Sequence, residues 1–349
     1  MTTTPRTAPI PVPRIPPAVL RTVALAACVP YLTLKVIWLS GGRLGIPVHS
    51  PLRQDGDSLM ALNGLTVAMD AAVIVLAFLL TRPWGGRVPG WLLAVPMWCA
   101  TGLLAPIVVV FPAQAVAGAL VGRTGAVSGG GPDALLEPWV WTVVYTGFIV
   151  QALALGTLFV RYARHRWGHL WRGPLAGLPD SPLRPARRLT AGAVTVLSAL
   201  PAAMHLLWAA GSSVGLSPVR VADRDLDARL NDAGFVLFAS VTVVGVLLLA
   251  LGGGPRRRGG RLPLLVPLTA AWLGSGTLAC WGGWLALTGL PVPAGDPRQP
   301  APLMSLTYAV QMIVGVVVAA AGAHFFAERA AGCAVPGQAG DRSGAVRCG

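Results

Sequence analysis

Residues 232–252 read DAGFVLFASVTVVGVLLLALG, and no charged side chain follows the opening acid. A helix rises 1.5 Å per residue, so crossing a hydrocarbon core of roughly 30 Å takes about 20 mostly apolar residues. This stretch meets that requirement. Working outward, stretches of the same character lie at about 18–40, 59–81, 90–112, 137–160, 188–210, 263–288 and 304–327. The prediction is an all-α membrane protein with eight transmembrane helices.

Composition agrees. Of 349 residues, 54% are hydrophobic and 11% charged, with a mean hydropathy of +0.65; a soluble domain carries about 25% charged residues. The formal charge of +14 is spread between apolar runs rather than over one basic face, which argues against nucleic acid as a partner. Cys28, Cys99, Cys280, Cys333 and Cys348 show no paired spacing, so neither a zinc site nor a disulfide framework is expected. No connection is long enough to hold a soluble domain.

Arginine counts orient the spans, because cytoplasmic loops retain positive charge. With the N-terminus inside, every even connection is Arg-rich, as in 161–188 and 253–262, while most acids fall outside. Both termini are therefore predicted cytoplasmic and the protein multi-pass in a bacterial plasma membrane. Residues 1–17, rich in Pro and Thr, and 328–349 are expected to be disordered cytoplasmic tails. The basic loop 161–187, with Trp167 and Trp171 among its arginines, is expected to lie against lipid headgroups. Membrane lipids are the partner this implies, and the oligomeric state stays open.

The chain also repeats itself. Placing Lys35 over His205 superposes Trp38 on Trp208, Gly41 on Gly211, Gly45 on Gly215 and Ile46 on Leu216. Leu62-Asn63 then matches Leu230-Asn231, and Arg87-Val88-Pro89 matches Arg261-Leu262-Pro263. Residues 18–160 and 188–327 are thus expected to form two parallel four-helix repeats. An even number of spans in each puts both the same way up, with a pseudo-twofold axis along the membrane normal. The stretch Met204-His205-Leu206-Leu207-Trp208-Ala209-Ala210-Gly211 is similar to the H-x-x-W-A-x-G-G signature of a family of small four-helix bacterial membrane proteins. The chain as a whole resembles uncharacterised integral membrane proteins of high-GC actinobacteria. The resemblance implies no activity, and the first repeat departs from it in having Lys35 where the signature has His.

Ionisable groups inside a membrane face other helices or a wet cavity. Lys35 is the only Lys among 27 basic residues. It lies about 8 Å from the outer end of its span and shares a face with Tyr31 and Trp38. It snorkels to the outer headgroups, pairs with Asp70, the acid near the midplane of the second span, or acts directly as a ligand or catalytic group. Asp70 shares its face with Asn63 and Thr66 and serves either as a polar clamp or as a proton or cation site. His205 is expected at the depth of Lys35, as a satisfied core histidine beside Trp208. Its distance from His324 excludes a shared metal or haem site, and no cofactor is expected. Asn63 and Asn231 either cap their helices or join Lys35 and His205 around an outward pocket on the axis. Tyr145, Gln151, Tyr308 and Gln311 are suited to hydrogen bonds between helices. Asp223-Arg224-Asp225-Leu226-Asp227 begins like a calcium loop, but lacks the Gly and Glu that such a loop needs further on.

Three functions remain open on these residues. One is the binding or transport of a small solute, ion or lipid at the interface of the two repeats. Another is a structural or partner-binding subunit. The third is an intramembrane enzyme acting on a lipid or isoprenoid, for which no catalytic constellation is visible.

Overall fold

The computed structural model describes residues 15–53, 56–123, 135–178, 181–252, 262–293 and 295–334. Among them the regular structure is helical: α1 (Pro17–Leu39), α2 (Gly56–Leu79), α3 (Gly90–Leu120), α4 (Pro138–Trp167), α5 (Arg184–Ala209), the short α6 (Pro218–Ala222), α7 (Leu226–Leu251), α8 (Leu265–Gly289) and α9 (Pro302–Ala334). Proline opens or nearly opens α1, α4, α5 and α9, where its fixed φ suits the helix and its missing N–H would be unpaired anyway. The Asp225 carboxylate caps α7, accepting from the Ala228 N–H at 2.8 Å.

Six of these helices are long and apolar enough to cross a membrane: α1, α3, α4 continued to Leu170, α5, α7 and α9 as far as Gly332. In α2 the apolar stretch runs over Asn63–Leu79. α8 is diluted by glycine, serine and threonine for a packing reason. A Cβ on Gly274 would stand 2.2 Å from Thr242 Oγ1 on α7, one on Gly276 3.0 Å from the Trp98 carbonyl on α3, and one on Gly282 2.7 Å from the Met312 nitrogen on α9. Three faces of α8 thus let three neighbouring backbones approach, as small residues do where helices pack without water. A helix so enclosed meets little lipid.

The helices gather into two groups. α1 packs along α4 and α2, and α5 packs along α7 and α9, with α8 between α7 and α9. The groups meet chiefly where α3 crosses α8. At that crossing a Cβ on Gly102 would lie 2.3 Å from the Gly276 backbone, so the two chains touch main chain to main chain. Two indoles bond across it in opposite directions: Trp98 Nε1 donates to Ser275 Oγ at 3.1 Å, and Trp272 Nε1 to Thr101 Oγ1 at 2.9 Å. At the α3 C-terminal end of the seam Arg123 grips Asp227 at 2.9 and 3.3 Å, and Gln114 Nε2 donates to the Asp227 carbonyl. The Asp227 carboxylate lifts the Arg123 pKa further above its ordinary value.

Several predicted boundaries move. α3 runs through Pro112 to Leu120 instead of stopping at residue 112, and α7 starts six residues before the predicted 232. The expected tail from residue 328 begins as helix, because α9 continues to Ala334. Contacts hold it there: Glu328 pairs with Arg187 at 3.3 Å and accepts from Ser181, and Arg329 donates to the Leu170 carbonyl. The expected first tail also ends early, since Pro17 opens α1 and the Ile15 carbonyl accepts from Arg161 at 2.6 Å; residues 1–14 and 335–349 lie outside the described residues. The basic loop is tied to the chain that leads into α8. Leu175 N donates to Leu262 O at 2.8 Å and Leu264 N to Gly173 O at 3.1 Å, which pins the loop to the start of α8.

Candidate functional site

The shared sequence motif folds into the same turn twice. Trp38 Nε1 donates to the Leu44 carbonyl at 2.8 Å, and Trp208 Nε1 to the Val214 carbonyl at 2.9 Å. Gly45 and Gly215 have φ of 73° and 72°, a region that side chains disfavour. Each turn seals an apolar cluster against the start of another helix. Leu34, Trp38 and Ile46 pack on Val140 of α4, and Met204, Trp208 and Leu216 on Met304 of α9. One turn of helix before each Trp stands the residue that differs, Lys35 or His205.

Lys35 is buried and does not reach out to headgroups. Its Nζ donates to Asn63 Oδ1 at 2.6 Å and lies 4.8 Å from the Tyr31 ring and 5.0 Å from the Trp38 ring. Aromatic faces attract a cation that has lost water. The expected partner, Asp70, is also buried and within the field of Lys35. The two close no ion pair, since Asn63 takes the ammonium instead. Beside Asp70 stands Gln151 of α4. Asp70 Oδ2 and Gln151 Oε1 are both buried without a hydrogen-bond partner in the protein. A buried acceptor left unpaired costs about 1–3 kcal/mol, so both oxygens can hold a donor or a cation.

His205 sits in a different setting, enclosed by the second helix group. Its Nδ1 meets Asp232 Oδ1 at 2.8 Å and its Nε2 meets Gln311 Oε1 at 3.0 Å. The ring edge faces Trp208 at 5.0 Å, and Phe235 covers it at 4.7 Å. Either the ring donates at both nitrogens or the Gln311 amide is turned to donate to Nε2; in both cases Asp232 accepts from Nδ1. With both nitrogens engaged, the ring has none left for a metal.

Lys35 and His205 thus have no partner in common. Lys35, Trp38, Asn63 and Asp70 come together between α1, α2 and α4, whereas His205 and Trp208 belong to α5, α7 and α9. Asn231 belongs to neither set. It is exposed, its helix is capped by Asp225, and the inward acid is its neighbour Asp232. Sequence reasoning missed Asp232 by starting the span there and assigning the acid to the outer loop. Two signals were present. Asp232 shares a helix face with Phe235, Ala239 and Thr242, and the spacing from His205 to Asp232 nearly equals that from Lys35 to Asn63. Between α6 and the first turn of α7, Asp225 is used as a cap and Asp227 as the partner of Arg123, which leaves neither as a calcium ligand.

An apolar groove of about 360 Å³ lies outside α1 and α4 at Pro30 and Gly147, with no ionisable lining. Neither family models, nor curated proteins, nor solved structures show a match to this chain, so its relationships rest on its own residues.

Proposed function

We propose that this is an eight-span membrane protein built of two parallel four-helix halves, and that it binds a small solute or ion inside the first half. The binding reading rests on one observation, the pair of unpartnered buried oxygens on Asp70 and Gln151 close to Lys35. The second half has unpartnered buried groups of its own, among them Ser198, Thr277 and Gln311, but no such pair of oxygens at the equivalent positions. Spacing from Asn63 to Asp232 puts Ala239 where Asp70 stands, and spacing from Pro138 to Pro302 puts Gly315 where Gln151 stands. A Cβ on Gly315 would lie 2.4 Å from the backbone of α8. At the same level one half is closed by helix contact and the other keeps spare hydrogen-bonding capacity. The seam between the halves is tightly packed at Gly102 and Gly276, so the site we propose lies within a half rather than between halves.

The duplication draws support from the twin turns and from the crossed Trp98 and Trp272 bonds. Thr101 and Ser275, like Trp98 and Trp272, are separated by the same 174 positions as Arg87 and Arg261. The eight-span reading predicts that a reporter inserted after Gly177 reads as cytoplasmic and one after Val214 as external. The reverse at either position would refute it.

Binding is tested in nanodiscs by thermal unfolding with a panel of alkali-metal salts, small amines and amino acids. A ligand at a hundred times its Kd stabilises by about 2.7 kcal/mol. At least one compound should raise Tm by several degrees in the parent and leave Asp70→Asn unmoved. A panel that moves both proteins alike, or neither, would overturn the reading.

A further inference from the structure

We propose that Asp70 and Lys35 form a cation–proton exchange pair, in which Asp70 and Gln151 take a desolvated monovalent cation as Lys35 gives up a proton. This rests on the binding reading above and goes on to name the ligand class.

The first observation is geometric. Asp70 is 4% and Gln151 2% exposed, and each carries a buried oxygen without a protein partner. Carboxylate and amide oxygens are hard donors, suited to hard cations. Both groups lie where two helices converge, Asp70 from α2 and Gln151 from α4.

The second is the charge balance. Lys35 and Asp70 together are neutral when both are ionised. Adding a cation beside the Lys35 ammonium would leave an excess positive charge in a medium of low dielectric, where like charges repel strongly. Loss of one proton from Lys35 restores neutrality. The ammonium becomes a neutral amine, its proton leaves to water, and the cation takes the place of the ammonium as counter-charge to Asp70. No electron moves and no covalent bond forms apart from the N–H that breaks and its equivalent in water.

The third is the choice of base. Every other basic residue is Arg, which stays charged in proteins, whereas Lys can lose its proton when desolvated. The contacts of Lys35 serve both forms. Asn63 Oδ1 accepts an N–H from ammonium or amine alike, while the Tyr31 and Trp38 faces favour the ammonium and so set the cation-free state. The other titratable groups facing the pair, among the described residues, are Cys28 and Tyr31 on α1 and Tyr145 on α4. Among the described residues α2 also brings Asn63 and Thr66 to the pair, and α4 brings Gln151 beside Tyr145. None of these is an acid or base that changes charge near neutrality, so the exchange falls to Lys35.

The test uses the full chain in nanodiscs. Thermal unfolding is followed against NaCl and KCl, with choline chloride at equal ionic strength as the control, from pH 6.5 to 9.5. Proton release on cation addition is read in weak buffer with a pH dye. For the parent, the apparent affinity for sodium or potassium should rise about tenfold per pH unit below the Lys35 transition, with one proton released per cation bound. Lys35→Met should keep the cation stabilisation and lose both its pH dependence and the proton release. Asp70→Asn should lose all three. Gln151→Ala removes one ligand oxygen without leaving a buried charge, and it should weaken the cation response about tenfold even where Asp70→Asn fails to fold.

Stabilisation without proton release, or release that survives Lys35→Met, overturns the exchange. An Asp70-dependent response to amines or amino acids, with sodium and potassium no better than choline, leaves the binding site standing and removes this inference. No Asp70-dependent response to any probe removes both.

Discussion

Asp232→Ala is expected to unfold in detergent about 1–3 kcal/mol more easily than the parent, the cost of leaving the buried His205 Nδ1–H without its acceptor. The Asp232 carboxylate is what His205 Nδ1 faces at 2.8 Å. Around the ring the other contacts are Phe235, Trp208, Tyr308 and the Gln311 amide. The Phe235 and Trp208 rings offer Nδ1 no acceptor oxygen. Removing the ring as well, in Asp232→Ala with His205→Phe, should cost less than the two single losses added together, since no nitrogen then remains to be satisfied. Asn231→Ala, one position away but exposed, should stay within about 0.5 kcal/mol of the parent. Thermal and denaturant unfolding of the four variants decides the matter. If Asp232→Ala behaves like Asn231→Ala, His205 is held by something other than this acid.

The seam predicts an order among glycines. Gly102→Ala should cost about 2–4 kcal/mol, at the upper end of overpacking effects. The added methyl would meet the backbone carbon and oxygen of Gly276 at 2.3 Å, and main chain cannot rotate aside as a flexible side chain can. Gly276→Ala should cost less, since its nearest obstacles are Trp98 O at 3.0 Å and the Gly102 Cα at 3.1 Å. Gly192→Ala, in α5 with nothing within 4 Å, should be neutral or stabilising by about 0.5–1 kcal/mol from helix propensity alone. The measurement is the ranking of unfolding midpoints. A Gly102→Ala protein as stable as Gly192→Ala would show that the halves are free to part at this level.

Much of the helical framework was legible in the chain because lipid imposes a length and an apolarity that few other environments require. Helix ends were read less well. α9 outruns its predicted end because Glu328 and Arg329 find partners at Ser181, Arg187 and Leu170, and such partners are distant in sequence. Lys35, Asn63 and Asp70 could be picked out, since a polar residue in an apolar run announces itself. Their pairing could not. Adjacent spans and opposite charges suggest Lys35 with Asp70, whereas the helices set Asn63 directly against the ammonium and leave Asp70 about two turns further along α2, beside Gln151. α8 was read as a span, yet nothing in its run of Gly, Ser and Thr told which neighbours those small residues admit.

The crossed bonds at the α3–α8 seam bear on how such a chain can change. In a contact of twofold type, one side chain acts twice, once as donor to the partner and once from the partner in return. Two identical copies must alter both bonds whenever they alter one. On the duplication we propose, joining the copies in a single polypeptide lifts that constraint, and Trp98 can be replaced while Trp272 stays. Each half is then free to drift under its own selection with the shared seam intact, and a Lys at one level of the first half can stand against a His in the second.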